Sequence, residues 1–127
     1  MTVFNHSITQ GYSDAAGNVK TVTTPFSGQS LEGWDGVVAA GASNAPIDAD
    51  WVNANVQSLM MWSDQAVTVK TNSSSAPAQT ISLVANQMLL FGVGIGLTNP
   101  FTTDVTALFV TNAGGTNANF KLRVLMT

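Results

Sequence analysis

Apolar and polar residues alternate with a period of two in several segments of this chain, and this alternation restricts the fold more than any other feature. The pattern is clearest in residues 67–71, 79–84 and 120–126. Successive side chains of a β-strand point to opposite faces, so each segment predicts a strand with one face in a core. No long segment has the 3.6-residue repeat of an amphipathic helix. The sequence therefore predicts an all-β chain.

The second half of the chain contains the most regular strand signals. Residues 88–91 and 104–111 add two further strands, and apolar residues on both faces of 104–111 predict a central position. In 120–126 the even-numbered side chains are predicted to face the core. Lys121 and Arg123 are predicted to face the other way, where they either keep the sheet soluble or meet an acidic surface of a neighbour. Short, turn-rich connections require antiparallel neighbours, so we expect an antiparallel β-sandwich or jelly roll of seven or eight strands.

The first half is less regular. Residues 3–9 and 19–24 are predicted strands, whereas 25–49 are rich in Gly, Ser and Ala and predict loops with one short strand near 36–40. Asp48 is predicted to cap a helical turn over 49–55, before a strand at 57–62. We therefore expect a single domain, 1–127, in which 1–55 form an arm and loops and 56–127 supply the core strands.

The charge content restricts the partners. Charged residues make up only 9% of the chain, against about 25% in an ordinary soluble domain, which predicts a surface partly covered by copies of the chain or by a partner. Residues 1–64 hold six acidic and one basic residue, and the rest one acidic and three basic, which gives −5 and +2. Four scattered Lys and Arg argue against direct nucleic-acid binding. The start lacks the pattern of a secretory signal, and the longest apolar stretch, 88–97, is about half of a bilayer span, so no membrane anchor is expected.

Residues able to do chemistry are few. The chain has no Cys, and His6 is its only histidine, with no sequence partner for general-base work. The glycines of 92–96 lack the following helix of a phosphate loop and instead predict a bend, a bulge or a close backbone approach. Two acidic pairs offer oxygen ligands without the spacing of an EF-hand, and capping or solvation is the simpler interpretation: Glu32 with Asp35, and Asp48 with Asp50. We therefore predict no catalytic residue, no metal and no cofactor, and a protein that is not an enzyme.

The tryptophans suggest where a partner binds. Trp62 is predicted to lie in the core, whereas Trp34, in a glycine-rich stretch, is predicted to be an exposed anchor for a protein or a sugar. The residues predicted to form interfaces are Phe4, Ile8, Trp34, Lys121 and Arg123.

Three segments carry a resemblance to a known family: LMMWSDQAVTVKTN at 59–72, QTISL at 79–83 and NPFTTDVTALFVTN at 99–112. Together they make residues 56–126 resemble small structural proteins of tailed bacteriophages. The most similar subset consists of jelly-roll cement, or decoration, proteins that trimerise on the outer capsid surface. This resemblance implies a homotrimer made in the host cytoplasm and located on the virion, where it locks neighbouring copies of the major capsid protein together, without catalytic residues. The alternatives are a phage tail, fibre or receptor-binding module that recognises glycans, then a secreted carbohydrate-binding domain, and last an enzyme.

Overall fold

The computed structural model describes residues 2–127 of the chain. In this part of the chain it contains one 3₁₀ turn, Asn53–Asn55, and ten β-strands. The strands are β1 (Phe4–Ser13), β2 (Val19–Gly28), β3 (Ser30–Val38), β4 (Ala45–Ile47), β5 (Val56–Ser63), β6 (Val67–Thr71), β7 (Gln79–Leu83), β8 (Met88–Gly92), β9 (Leu108–Thr111) and β10 (Ala118–Met126). Across residues 2–127, no helix has the length and apolar character needed to cross a membrane.

Strands β3 to β10 form two four-stranded sheets that pack face to face. The first sheet has the order β3-β10-β5-β8, the second has the order β4-β9-β6-β7, and all the strand pairs are antiparallel. An eight-stranded double sheet with this interleaved order is a jelly roll. The predicted all-β class and single-domain antiparallel β-sandwich are therefore confirmed.

The main core lies between the two sheets. Phe120, Leu122 and Val124 of β10 point into it and are fully buried, as the alternation of 120–126 predicted. At one end of the sandwich, Trp51 packs edge-on against Phe101 with ring centroids 5.0 Å apart. Alternate burial along the central strands follows from two sheets that each bury one face.

Strands β1 and β2 form a separate two-stranded antiparallel hairpin, paired from Phe4 with Gly28 to Ser13 with Val19. The hairpin lies on the outside of the first sheet. Ile8, Phe26 and Leu125 form a second apolar cluster there, separate from the main core. The molecule thus has a third, partial layer.

The first half of the chain is more regular than predicted. Residues 25–49, expected to be mostly loop, include the end of β2 and all of β3 and β4. Strand β3 forms although its sequence is rich in glycine, because it pairs with β10 along its whole length. Cross-strand packing outweighs intrinsic propensity in such a position.

The predicted helical turn over 49–55 is wrong in extent and in its cap. Only Asn53–Asn55 are helical, Val52 precedes them, and Asp48 makes no capping bond. The Asn53 N–H instead donates to the carboxylate of Asp104 at 2.8 Å, a residue 51 positions away in the sequence. A cap supplied from a distant loop has no local sequence signal.

Candidate functional site

The outer face of the first sheet, turned away from the main core, is only partly covered. Strand register places Leu125, Ser58 and Gly92 in one row across this face, and the hairpin lies over that row. In the next row Leu90 also packs against the hairpin, whereas within residues 2–127 no layer lies above the row of Lys121 and Trp62. An uncovered sheet face with large apolar side chains is the usual location of a binding surface.

The hairpin is fixed to the sheet by shape as well as by apolar contact. Gly92 lacks a side chain at the point where the Phe26 ring crosses β8, and a Cβ atom there would overlap the ring. His6 Nδ1 and Ser58 Oγ share a hydrogen bond of 3.0 Å beneath the hairpin. The glycines of 92–96 were predicted to mark a bend, a bulge or a close backbone approach, whereas the group that approaches Gly92 is the side-chain ring of Phe26.

We call the uncovered part of this face, where large apolar side chains lie beside two charged ones, the outer patch. Val37 and Met88 are 58% and 54% exposed, and Trp62 and Met60 are half-buried between them. Register aligns Asp35, Lys121, Trp62 and Met88 in a single row, so charged and apolar side chains lie side by side. The outer patch consists of Asp35, Val37, Met60, Trp62, Met88 and Lys121.

A groove with a volume of about 290 Å³ separates strand β1 from the outer patch. Its lining includes the apolar side chains of Ile8, Met60 and Met88, and its polar members include His6 and Arg123. Arg123 donates to both carboxylate oxygens of Asp35, one of them at 2.9 Å, in a bidentate pair. The groove and the outer patch together form one continuous surface.

Neighbouring groups shift the pKa values of the ionisable side chains on this surface. Partial burial, and then the positive charge of Arg123, lower the pKa of His6. The hydrogen bonds from Arg123 hold the pKa of Asp35 below its usual value, and Asp35 in turn raises the pKa of Arg123. The charged group facing His6 is therefore a cation, whereas a catalytic triad places a carboxylate beside its histidine.

The predicted interface residues fall into three places. Phe4 and Ile8 lie on the side of the hairpin that faces the sheet, and Ile8 is buried, so its apolar area is used within the chain. Lys121 and Arg123 lie on the outer face, as predicted. The structure brings these four residues to the same side of the first sheet and places Trp34 on the other side.

The predicted positions of the two tryptophans are both wrong, because each side chain lies on the side of the sheet that was expected for the other. Trp34 points inward, packs against the main core and has its ring centroid 5.8 Å from that of Phe120. Trp62, expected in the core, belongs to the outer patch. In LMMW at 59–62 every residue is apolar, so the sequence holds no signal that distinguishes the two faces of β5.

A second charged feature lies at the edge of the sandwich formed by β3 and β4. Glu32 is on the edge strand β3, and burial together with nearby Asp48 and Asp50 raises the pKa of its carboxyl group. We call these three residues the acidic edge. Within residues 2–127, no three His, Asp or Glu side chains are grouped closely enough to hold a metal ion.

Comparisons with protein-family models, with curated proteins and with solved structures found no match to this chain.

Proposed function

We propose that this protein is a capsid cement, or decoration, protein that binds the outside of a tailed-phage capsid and stabilises the shell. The observation that carries the proposal is the outer patch, an open sheet face of mixed apolar and charged side chains on a jelly-roll domain. A surface of this kind fits a broad protein partner better than a small substrate. The resemblance of residues 56–126 to phage structural proteins supplies the class of partner, the major capsid protein.

The mechanism is mechanical. Many copies bind a repeating lattice, so modest affinity at each site is multiplied by avidity where copies are joined to one another. Each bound copy bridges neighbouring capsid subunits and favours the assembled state, because it binds that state preferentially. Self-association of the chain is part of this function, and a homotrimer is the form that the resemblance implies.

The test is cryo-electron microscopy of phage particles produced with and without this chain. We expect jelly-roll density on the outer capsid surface only in particles that contain the chain, and rupture of the depleted shells at lower temperature. Density at the tail, or none on the particle, would contradict the proposal.

A matched pair of variants tests the outer patch itself. Met88→Asp introduces a charge into the patch, whereas Val84→Asp introduces the same charge beyond β7, at a valine that is 61% exposed against 54% for Met88. We expect capsid occupancy to fall at least about tenfold for Met88→Asp, a typical hot-spot effect, and to stay unchanged for Val84→Asp. Equal occupancy would place the attachment surface elsewhere.

The second candidate function is glycan binding by a tail or receptor-binding module. A shallow depression favours it, since Trp62 lies there beside the polar side chains of Asp35, Asn119 and Lys121. An indole face with adjacent hydrogen-bonding groups is suited to stacking against a sugar ring. A glycan array distinguishes the two functions: specific binding that Trp62→Ala abolishes would favour this candidate over the cement protein.

A further inference from the structure

One face of the hairpin carries its large apolar side chains, and the other face is mainly polar. Phe4, Ile8 and Phe26 lie on the apolar face near the open end of the hairpin, where the sheet covers them. The opposite face consists mainly of small polar residues, among them Ser7 and Thr9. The apolar face continues toward the turn, and its last members are Gln10, Tyr12, Lys20 and Val22, which we call the tip face.

The tip face extends beyond the body of the molecule. From the open end of the hairpin toward its turn, Gly28 first contacts Met126 of β10. His6 then contacts Ser58 of β5, and the Phe26 ring contacts Gly92 of β8. The hairpin therefore crosses the first sheet from β10 toward its β8 edge. Gln10 donates to the carbonyl of Ile95 just past β8, and the rest of the tip face lines a shallow depression beside Gly94 and Ile95. Three further residues of β1 follow, about 10 Å of strand at 3.3–3.4 Å per residue.

The two apolar side chains of the tip face are not buried. Tyr12 is 64% exposed and Val22 is 45% exposed. A lone two-stranded hairpin is marginal in water, so the extended end gains stability only when another surface covers it. Gly94 and Ile95 lie beside this part of the hairpin without burying Tyr12 or Val22.

One charge lies on the tip face. Lys20 is directly opposite Tyr12, and it forms no salt bridge within residues 2–127. The nearby carboxylate of Asp14 is occupied in the hairpin turn, where it accepts hydrogen bonds from the backbone of Ala16 and Asn18. The tip face thus presents a cation within an apolar surface.

The surface complementary to the tip face lies at the other side of the sandwich. In the sheet order β3-β10-β5-β8, the tip face extends past β8, while Glu32 of the acidic edge lies on β3. Asp48 and Asp50 follow β4, the edge strand of the second sheet. The cation and the carboxylates are too far apart to pair within one molecule, but they are suited to pair between copies placed side by side.

We propose that the tip face of one copy docks on the acidic edge of a second copy, with Lys20 among the carboxylates of Glu32, Asp48 and Asp50. Because the two surfaces lie on opposite sides of the molecule, the contact is head-to-tail, the type that closes into a ring. This inference rests on the self-association part of the proposed function and does not depend on attachment to a capsid.

The test is sedimentation of the full chain over a range of concentrations. Tyr12→Ser and Lys20→Glu are each expected to weaken association at least about tenfold, because each removes a central contact. The control for Tyr12→Ser is Val84→Ser, at a side chain of similar exposure. The control for Lys20→Glu is Lys70→Glu, the same charge change on the second sheet. Both controls should associate as the wild type does, and circular dichroism verifies that every variant is folded.

A charge reversal completes the test. A chain that carries Lys20→Glu together with Asp48→Lys and Asp50→Lys should regain most of the association that Lys20→Glu alone loses. If the wild type associates and neither tip-face variant weakens that association, this inference is overturned and the proposed function still stands. A wild type that stays monomeric at about 100 μM would overturn the inference and the self-association part of the function, whereas capsid attachment is judged separately by microscopy.

Discussion

Replacing Phe26 with Ala is expected to release the hairpin while the sandwich stays folded. Phe26 is 8% exposed and belongs to the second cluster, not to the main core. Truncation of a buried phenylalanine costs about 3–5 kcal/mol through lost burial and the cavity left behind. The apolar anchors of the hairpin are Phe4, Ile8 and Phe26, and a fully buried side chain of this size supplies about 1.5–3 kcal/mol, so truncating Phe26 removes a large share of the apolar contact that holds the hairpin on the sheet.

Amide hydrogen exchange measures this release directly. Since each 1.4 kcal/mol is a factor of ten, protection of the β1 and β2 amides should fall by about a hundredfold or more in Phe26→Ala. The amides of β6 and β10 should remain protected, because the main core does not contain Phe26. The matched control is Tyr12→Ala, which removes an exposed aromatic ring from the same hairpin face and should leave protection near Phe4 unchanged. Wild-type protection of β1 in Phe26→Ala, or loss of protection in β10 along with it, would refute the reasoning.

Three other changes test separate contacts. Gly92→Ala forces a methyl group against the Phe26 ring, so denaturant unfolding should show that the free energy of unfolding falls by about 1–3 kcal/mol. An unchanged denaturant midpoint would contradict this contact. The pKa of the Glu32 carboxyl is raised, so its ionised form costs stability once the pH rises through that pKa. At low protein concentration, Glu32→Gln should therefore unfold at a higher temperature than the wild type at pH 7 and at the same temperature below pH 4. Equal melting temperatures of the two proteins at both pH values would argue against crowding at the acidic edge. Because the pKa of His6 is lowered, wild-type stability should fall as the pH drops from about 6.5 through the folded-state pKa. The variant His6→Asn should lack this pH dependence. Parallel stability curves for the wild type and the variant between pH 7.5 and 5 would count against burial of His6.

The local pattern was sufficient to predict most strands of the second half, but the strand expected over 104–111 is wrong in extent, because β9 begins at Leu108 and Val105 forms only an isolated bridge with Trp51. In Val67–Thr71 and in 120–124 a polar residue separates each apolar one, and one face of each strand is buried as a result. The same reasoning correctly placed Lys121 and Arg123 on the face opposite Leu122, because period-two geometry is a property of any extended backbone. Alternation and short connections together also determined the antiparallel sandwich.

Only the tertiary structure decided which surfaces remain open. Leu125 shares its face with Lys121 and Arg123, yet it is fully buried, because the hairpin covers that end of the face. Trp34 and Trp62 exchanged their predicted positions for a similar reason: which side of a strand becomes the interior depends on the second sheet, not on the strand itself. Alternation along the sequence therefore defines the two faces of each strand, but the layers that distant segments place over those faces determine which residues are left for a partner.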